Sequence, residues 1–141
     1  MTIPLWCKVR PLMRPRFNPT SRTTYTPKEN QVEVLNEMAQ FESIELARPV
    51  IVDTYIYFAR PEESQYDFPV EAMYGDTDNL VKGLYDALVV NKIIYDDNFI
   101  IGGQSYKMFS SEDWAVILIY EVDGAKACLP YGHTKSMRRA Q

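Results

Sequence analysis

Two runs of β-branched and aromatic residues, 50–59 and 114–121, constrain the fold of this chain most strongly. Runs of this composition are typical of strands near the centre of a sheet. The longest strongly apolar stretch, residues 115–120, is far too short to cross a bilayer. At 141 residues the chain has the length of one domain, which buries roughly two-thirds of its unfolded surface. We therefore expect a single soluble domain built around a sheet.

Two helices are expected in addition to these strands. The first begins near Thr26, where a capping box with Glu29 and a proline at the first helical position mark a start, and Pro49 limits it. The second spans residues 77–90, and Asn91 is a plausible stop. The apolar residues that recur there at helical spacing are Leu80, Val81, Leu84, Ala87 and Leu88.

The remaining segments have weaker patterns. Residues 3–9 favour a first strand, the proline-interrupted residues 10–25 an extended basic loop, and residues 60–75 another loop. Residues 99–101 and 104–109 fit a hairpin across two glycines. The order strand, helix, strand, helix, strands predicts an α/β (mixed α+β) fold, with a single mixed β-sheet and two main helices packed against it.

This domain is predicted over residues 1–122. Residues 123–141 are small, polar and basic, and they fit either a flexible phosphate-binding arm or an uninvolved terminus. The first residues lack the basic and apolar regions of a secretion signal. Cys7 and Cys128 form no close-spaced motif, so neither a disulfide framework nor a four-cysteine zinc site is expected. Together these features predict a cytoplasmic protein without a membrane partner.

The charge of the chain is unevenly distributed. The net charge is −4, which by itself argues weakly against a nucleic-acid partner. Residues 1–30 nevertheless carry six basic residues and one acidic residue, whereas residues 31–75 carry nine acidic and two basic residues. Phosphate affinity follows local charge, because the Debye length is only about 8 Å at physiological salt. A polyanionic partner therefore remains compatible with the sequence if it meets the N-terminal segment.

The residues with the clearest chemistry stand at the start of the second helix. Asp76 and Asp78 lie where free N–H groups and the helix dipole favour carboxylates, so simple capping is one explanation for them. Two further features favour a functional site. Lys82 lies one turn after Asp78 on the same helix face, and Asp97 follows after one connecting segment that allows its return to the helix start.

Three carboxylates at one point repel each other unless a cation neutralises them. Such hard oxygen ligands suit Mg²⁺ or Mn²⁺, which keep several waters and accept phosphate oxygens as further ligands. A nearby lysine can stabilise charge on a scissile phosphate or help to position the attacking water. This combination is typical of a metal-dependent phosphodiesterase. An EF-hand calcium loop is excluded, because Val81 would replace its glycine and Ala87 its final glutamate.

The same block resembles the RusA-type Holliday-junction resolvases, which are crossover junction endodeoxyribonucleases. The family pattern is Asp-x-Asp-Asn-Leu-x-Lys, then Asp-Ala-Leu, then a paired Asp-Asp. These motifs fall here on residues 76–82, 86–88 and 96–97, with the family's spacing from Asp78 to Asp97. A weaker similarity includes residues 14–17, residues 25–27, Lys107 and the strand 114–121. The resemblance covers about residues 3–121.

The resemblance implies roles for individual residues. Asp76, Asp78 and Asp97 are expected to bind Mg²⁺, and Lys82 is expected to assist catalysis. In the acidic pair it is Asp97, and not Asp96, that aligns with the family's ligand.

A second group of residues is expected to bind DNA. Arg14, Arg16 and Arg22 are candidates for phosphate contacts, and the resemblance adds Lys107. Solvated loop charge explains each arginine equally well. Family members act as homodimers, which suits a two-fold symmetric junction that needs two matched nicks.

These observations predict a dimeric, Mg²⁺-dependent endonuclease that resolves four-way DNA junctions by paired symmetric nicks in recombination and repair, with Mn²⁺ as an alternative metal. Three alternatives remain open. One is a broader nuclease of phage or prophage origin that acts on flaps, forks or packaging intermediates. Another is a catalytically silent junction-binding protein. The third is a structural module in which a metal bound by the carboxylates only stabilises the fold.

Overall fold

The computed structural model describes residues 1–12, 16–25 and 31–122. The predicted basic tail and the predicted start of the first helix at residues 26–30 lie outside these ranges. The strands are β1 (Thr2–Leu5), β2 (Arg16–Asn18), β3 (Thr23–Tyr25), β4 (Val50–Ala59), β5 (Ile100–Gly102), β6 (Ser105–Ser110) and β7 (Trp114–Glu121). The helices are α1 (Val32–Met38) and α2 (Thr77–Val90), and single 3-10 turns occur at Ala72–Tyr74 and Asp97–Phe99.

Five of the strands form one mixed sheet. Its order is β1-β7-β4-β5, and β6 pairs with the same edge of β4 as β5 does. The pairs β1–β7 and β7–β4 are antiparallel, whereas β5 and β6 run parallel to β4. A separate antiparallel hairpin is formed by β2 and β3 within the segment predicted as a loop. The predicted fold class is confirmed, since one mixed sheet and two helices make an α+β fold.

The hairpin predicted across Gly102 and Gly103 is wrong. Both β5 and β6 pair with β4 in parallel, so the two strands continue one another along one sheet edge. At the junction, Gly103 has a φ of +144°, and an added Cβ would lie 1.8 Å from the Val52 carbonyl oxygen. The Asp53 carboxylate accepts a hydrogen bond from the Gln104 amide at 2.8 Å. The glycines therefore allow a close backbone approach at an irregularity in a parallel edge, and no chain reversal occurs there.

The two helices cover one face of the sheet. On β4 and β7 alternate residues are buried, which places Ile56, Phe58, Ala115 and Ile117 beneath the helices. From α2 the core receives Leu80, Leu84, Ala87 and Leu88, as its helical spacing predicts. The first helix is shorter than predicted, because its described part ends at Met38, well before Pro49. Neither described helix has the length and apolarity needed to span a membrane.

Candidate active site at the start of the second helix

The backbone that leads into α2 is held in one conformation by its neighbours. Gly75 has a φ of +86°, and an added Cβ would lie 2.7 Å from the Pro11 Cβ. Its carbonyl oxygen accepts a hydrogen bond from the Lys107 ammonium at 2.8 Å, in a partly buried position. Lys107 reaches this carbonyl because it occupies the helix-covered side of β6, in register with the buried Ile56. The residue before Asp76 is thus fixed from two sides.

Asp76 and Asp78 are exposed at the first turn of α2. Asp76 is the N-cap residue, yet its side chain makes no capping hydrogen bond. Simple capping by the Asp76 side chain therefore does not explain that carboxylate. Asp78 lies in the first turn, where the helix dipole stabilises a negative charge. The helix start thus presents two solvent-accessible carboxylates.

The N-terminal basic segment is bound directly to this helix. The Asn79 side-chain amide donates a hydrogen bond to the Leu12 carbonyl at 3.0 Å. The buried Gln31 side chain donates to the Arg10 carbonyl at 3.2 Å. These contacts and the Pro11–Gly75 approach join segments far apart in sequence, so no local pattern identified them. They place the start of the basic segment beside the start of α2.

Asp97 lies beside the middle of α2, in the 3-10 turn that follows the helix. Asp96 caps that turn by accepting a hydrogen bond from the Asn98 amide at 2.9 Å. The pKa of Asp97 is raised by its hydrogen bond with Asp96, by partial burial, and by the negative charges of Asp96 and Asp86. The positive charge of Lys82 acts in the opposite direction on that pKa. Asp97 and Lys82 are therefore electrostatic neighbours.

The acidic turn adjoins a concave surface between the helices. A cavity of about 320 Å³ opens there, and most of its lining is apolar. Asp86, Asp96 and Asp97 supply its carboxylates. Within the described ranges, no three His, Cys, Asp or Glu side chains converge closely enough to hold a metal ion together. The structure thus groups Asp76 with Asp78, and Asp97 with Lys82, without bringing all three carboxylates to one point.

The predicted DNA-binding residues occupy different positions. Arg14 lies outside the described residues, and Arg16 is the first residue of β2. Arg22 is exposed in the turn between β2 and β3, with a φ of +56°. The Lys107 ammonium is bonded to the Gly75 carbonyl, a positioning contact that the resemblance did not anticipate. Their contacts with DNA remain predictions.

A family model described as "Endodeoxyribonuclease RusA" matches residues 7–120 of the 141-residue chain. That range includes both helices and all of the candidate catalytic residues. No curated protein matches the chain.

Proposed function

The chain belongs to the RusA endodeoxyribonuclease family, and from that membership we propose that it is a Mg²⁺-dependent endonuclease that resolves four-way DNA junctions. The observation that carries the proposal is the exposure of Asp76, Asp78, Lys82 and Asp97 on one helix and the turn packed beside it. Carboxylates that are neither buried nor used as caps are available to a ligand. A purely structural role leaves the open position of this group unexplained.

The open arrangement of these residues suits Mg²⁺ better than it suits a metal that is held entirely by protein ligands. Mg²⁺ is usually held by one or two carboxylates, and waters and substrate phosphate oxygens complete its shell. Asp76 and Asp78 would supply the first ligands. The described side chains do not bring Asp97 to the same point, so its proposed role as a third ligand rests on the family resemblance. Asp96 and Asp86 place further negative charge beside Asp97, and a cation binds favourably in such surroundings. When bound, the metal would activate water and stabilise the leaving oxygen.

The protein groups contribute positioning and charge. Lys82 is exposed in the second turn of α2, close enough to Asp97 to act on its pKa, and its ammonium would stabilise charge that develops on the scissile phosphate. Gly75, fixed by Lys107, would orient the Asp76 carboxylate. Arg10 lies exposed two residues before Leu12, whose carbonyl is bonded to α2, and Arg22 lies exposed in the turn between β2 and β3. Both would contact the backbone of the DNA.

Paired symmetric cleavage requires two active sites, and we propose that a homodimer supplies them. A four-way junction has two-fold symmetry, so two equivalent sites related by a two-fold axis match the two strands to be cut. Resolution of such junctions would place the protein in DNA recombination and repair. A broader nuclease of phage or prophage origin differs only in its preferred branched substrate.

The test is cleavage of an end-labelled synthetic four-way junction with Mg²⁺. Asp78→Asn keeps the size of the side chain and removes the ligand charge, so cleavage is expected to fall on the order of a hundredfold or more while junction affinity is retained. Asp67→Asn is the matched control, because Asp67 is an exposed carboxylate that forms a surface ion pair with Arg60. Its cleavage is expected to match the wild type.

Other outcomes separate the alternatives. Tight junction binding without cleavage by the wild type would favour a silent junction-binding protein. Equal cleavage of junction and linear duplex would leave a metal-dependent nuclease without junction selectivity. A rise in thermal stability with Mg²⁺ and no DNA affinity would favour the structural module.

A further inference from the structure

The cavity between the two helices combines apolar walls with negative charge. Its carboxylates belong to Asp86, Asp96 and Asp97, and the first two both act on the pKa of the third, so the three lie close to one another. The charge of Lys82 offsets one of them. Val90, the last residue of α2, lines the same cavity and exposes 61% of its surface. Such a surface suits an occupant that has both apolar side chains and positive charges.

The chain itself contains a segment of matching composition, residues 123–141, which we call the tail. The tail follows the last described residue, and the family match ends before it, at residue 120. It has one acidic residue and four basic residues, which are Lys126, Lys135, Arg138 and Arg139. Its larger apolar residues are Leu129, Tyr131 and Met137. The tail therefore complements the cavity in both charge and apolar character.

The described chain ends beside the acidic turn. Glu121, the last residue of β7, is paired with Val50, the first residue of β4. On its other side Val50 is paired with Ile100, and Asp97 precedes Ile100 by three residues. Two strand spacings of about 4.8 Å therefore separate the end of β7 from the start of β5. The tail begins within roughly 20 Å of Asp97.

We propose that the tail binds in this cavity, with Leu129 against the apolar walls and its basic side chains against the carboxylates. Leu129 follows Val122 by seven residues, which reach up to about 23 Å when extended. Surface ion pairs stabilise a contact weakly when they act alone, but here several of them act together with apolar burial. Because the tail belongs to the same chain, its effective concentration at the cavity is on the order of millimolar.

A docked tail would also affect the candidate active site. A basic side chain beside Asp97 occupies the surroundings in which a cation binds favourably, so the tail and Mg²⁺ would exclude one another there. This consequence rests on the proposed function, whereas the docking does not. The docking is therefore tested without metal and without DNA.

Cys128, next to Leu129, makes the position of the tail measurable in the full chain. Val90→Cys adds a thiol at the exposed edge of the cavity. Ile51→Cys is the matched control, because Ile51 lies beside the same end of β7 on the face opposite the helices. Burial raises the pKa of the Cys7 thiol to about 11, so Cys7 reacts slowly at neutral pH.

The measured quantity is the rate at which Cys128 forms an intramolecular disulfide with the added thiol. Oxidised glutathione is the oxidant, the protein is dilute, and mass spectrometry separates this product from covalent dimers. A disulfide requires that the two Cα atoms approach within about 7 Å. We expect the rate in the Val90→Cys chain to exceed that in the Ile51→Cys chain at least about tenfold, because docking holds Cys128 near the cavity.

Charge reversal in the tail tests the role of the carboxylates. Arg138→Glu with Arg139→Glu should lower the rate in the Val90→Cys chain by about tenfold, because two attractions become repulsions of similar size. The same reversal should leave the rate in the Ile51→Cys chain unchanged. Sodium chloride at about 0.5 M applies the same test without any substitution in the tail, since it screens surface ion pairs.

Three results would overturn the proposal. Equal rates in the Val90→Cys and Ile51→Cys chains would mean that the tail samples both faces of the sheet. A faster reaction in the Ile51→Cys chain would place the tail on the face opposite the helices. A rate in the Val90→Cys chain that neither charge reversal nor salt lowers would exclude the carboxylates as the binding site. An inactive protein with the expected disulfide rates would support the docking and refute only the nuclease proposal.

Discussion

Single contacts determine the geometry at the start of α2, and the contact made by Lys107 is the most informative of them. Its ammonium donates to the Gly75 carbonyl, one residue before Asp76. The family resemblance suggested Lys107 only as a phosphate contact. Its bond to Gly75 was not predictable, because the register that turns it toward α2 depends on parallel pairing of β6 with β4. The carboxylates and Lys82 were identified from their spacing within one helix. Contacts made across the sheet leave no such local pattern.

Replacing Lys107 separates a positioning role from a phosphate contact. Lys107→Met removes a hydrogen bond from a charged donor, so we expect the free energy of unfolding to fall by about 1–2 kcal/mol. Junction cleavage should fall while junction affinity and its salt dependence stay unchanged. Lys92→Met, at an exposed lysine after α2, is the control. Weaker binding with a shallower salt dependence would instead indicate that Lys107 contacts phosphate.

Substitution of Gly75 tests the backbone strain at the residue before Asp76. Gly75→Ala introduces a Cβ at a φ of +86° and 2.7 Å from the Pro11 Cβ, so it should destabilise the fold by about 1–3 kcal/mol. Gly102→Ala is the matched control, because nothing lies within 4 Å of its added Cβ. Urea unfolding of the two variants measures both effects. Equal stability of the two variants would show that the Gly75 backbone relaxes freely.

At the scale of elements, the sequence predicted the strands and helices that have strong local patterns. It did not predict how distant segments pair. The predicted bounds of β4, α2 and β7 agree with the structure, because continuous β-branched runs and a clear helical period marked them. The hairpin predicted from residues 99–109 failed, because the glycines between its strands permit close approach to β4 as readily as a turn. The sequence did not predict the β2–β3 hairpin, because the neighbouring prolines are typical of an irregular loop.

The core side of α2 should carry most of its contribution to stability. Leu84 is fully buried beneath the helix, so Leu84→Ala is expected to lower the free energy of unfolding by about 2–5 kcal/mol. Val90 lies on the same helix with 61% of its surface exposed, and Val90→Ala should change stability by less than about 0.5 kcal/mol. Chemical denaturation compares the two variants. A small effect at Leu84 would mean that α2 packs less tightly than described.

At the scale of the whole molecule, the two faces of the sheet differ in what covers them. The helix-covered face supports α2 and, through Lys107, the backbone beside the candidate active site. The face of the sheet opposite the helices carries stacked aromatic rings. The sequence predicted the strands but gave no indication of which face lacked a cover, since alternating tyrosines fit a core equally well. Only the positions of the helices in the structure show which face of the sheet is covered.

The central claim is that this protein cuts both symmetric strands of a four-way junction with Mg²⁺. A supercoiled plasmid that extrudes a cruciform tests it directly, because a single nick releases the supercoiling and removes the junction. Two nicks within one bound complex yield linear DNA, whereas independent nicks yield open circles. We predict linear product with Mg²⁺, and neither product with a chelator or with Asp78→Asn. Open circles alone, or linear product from Asp78→Asn, would contradict the account.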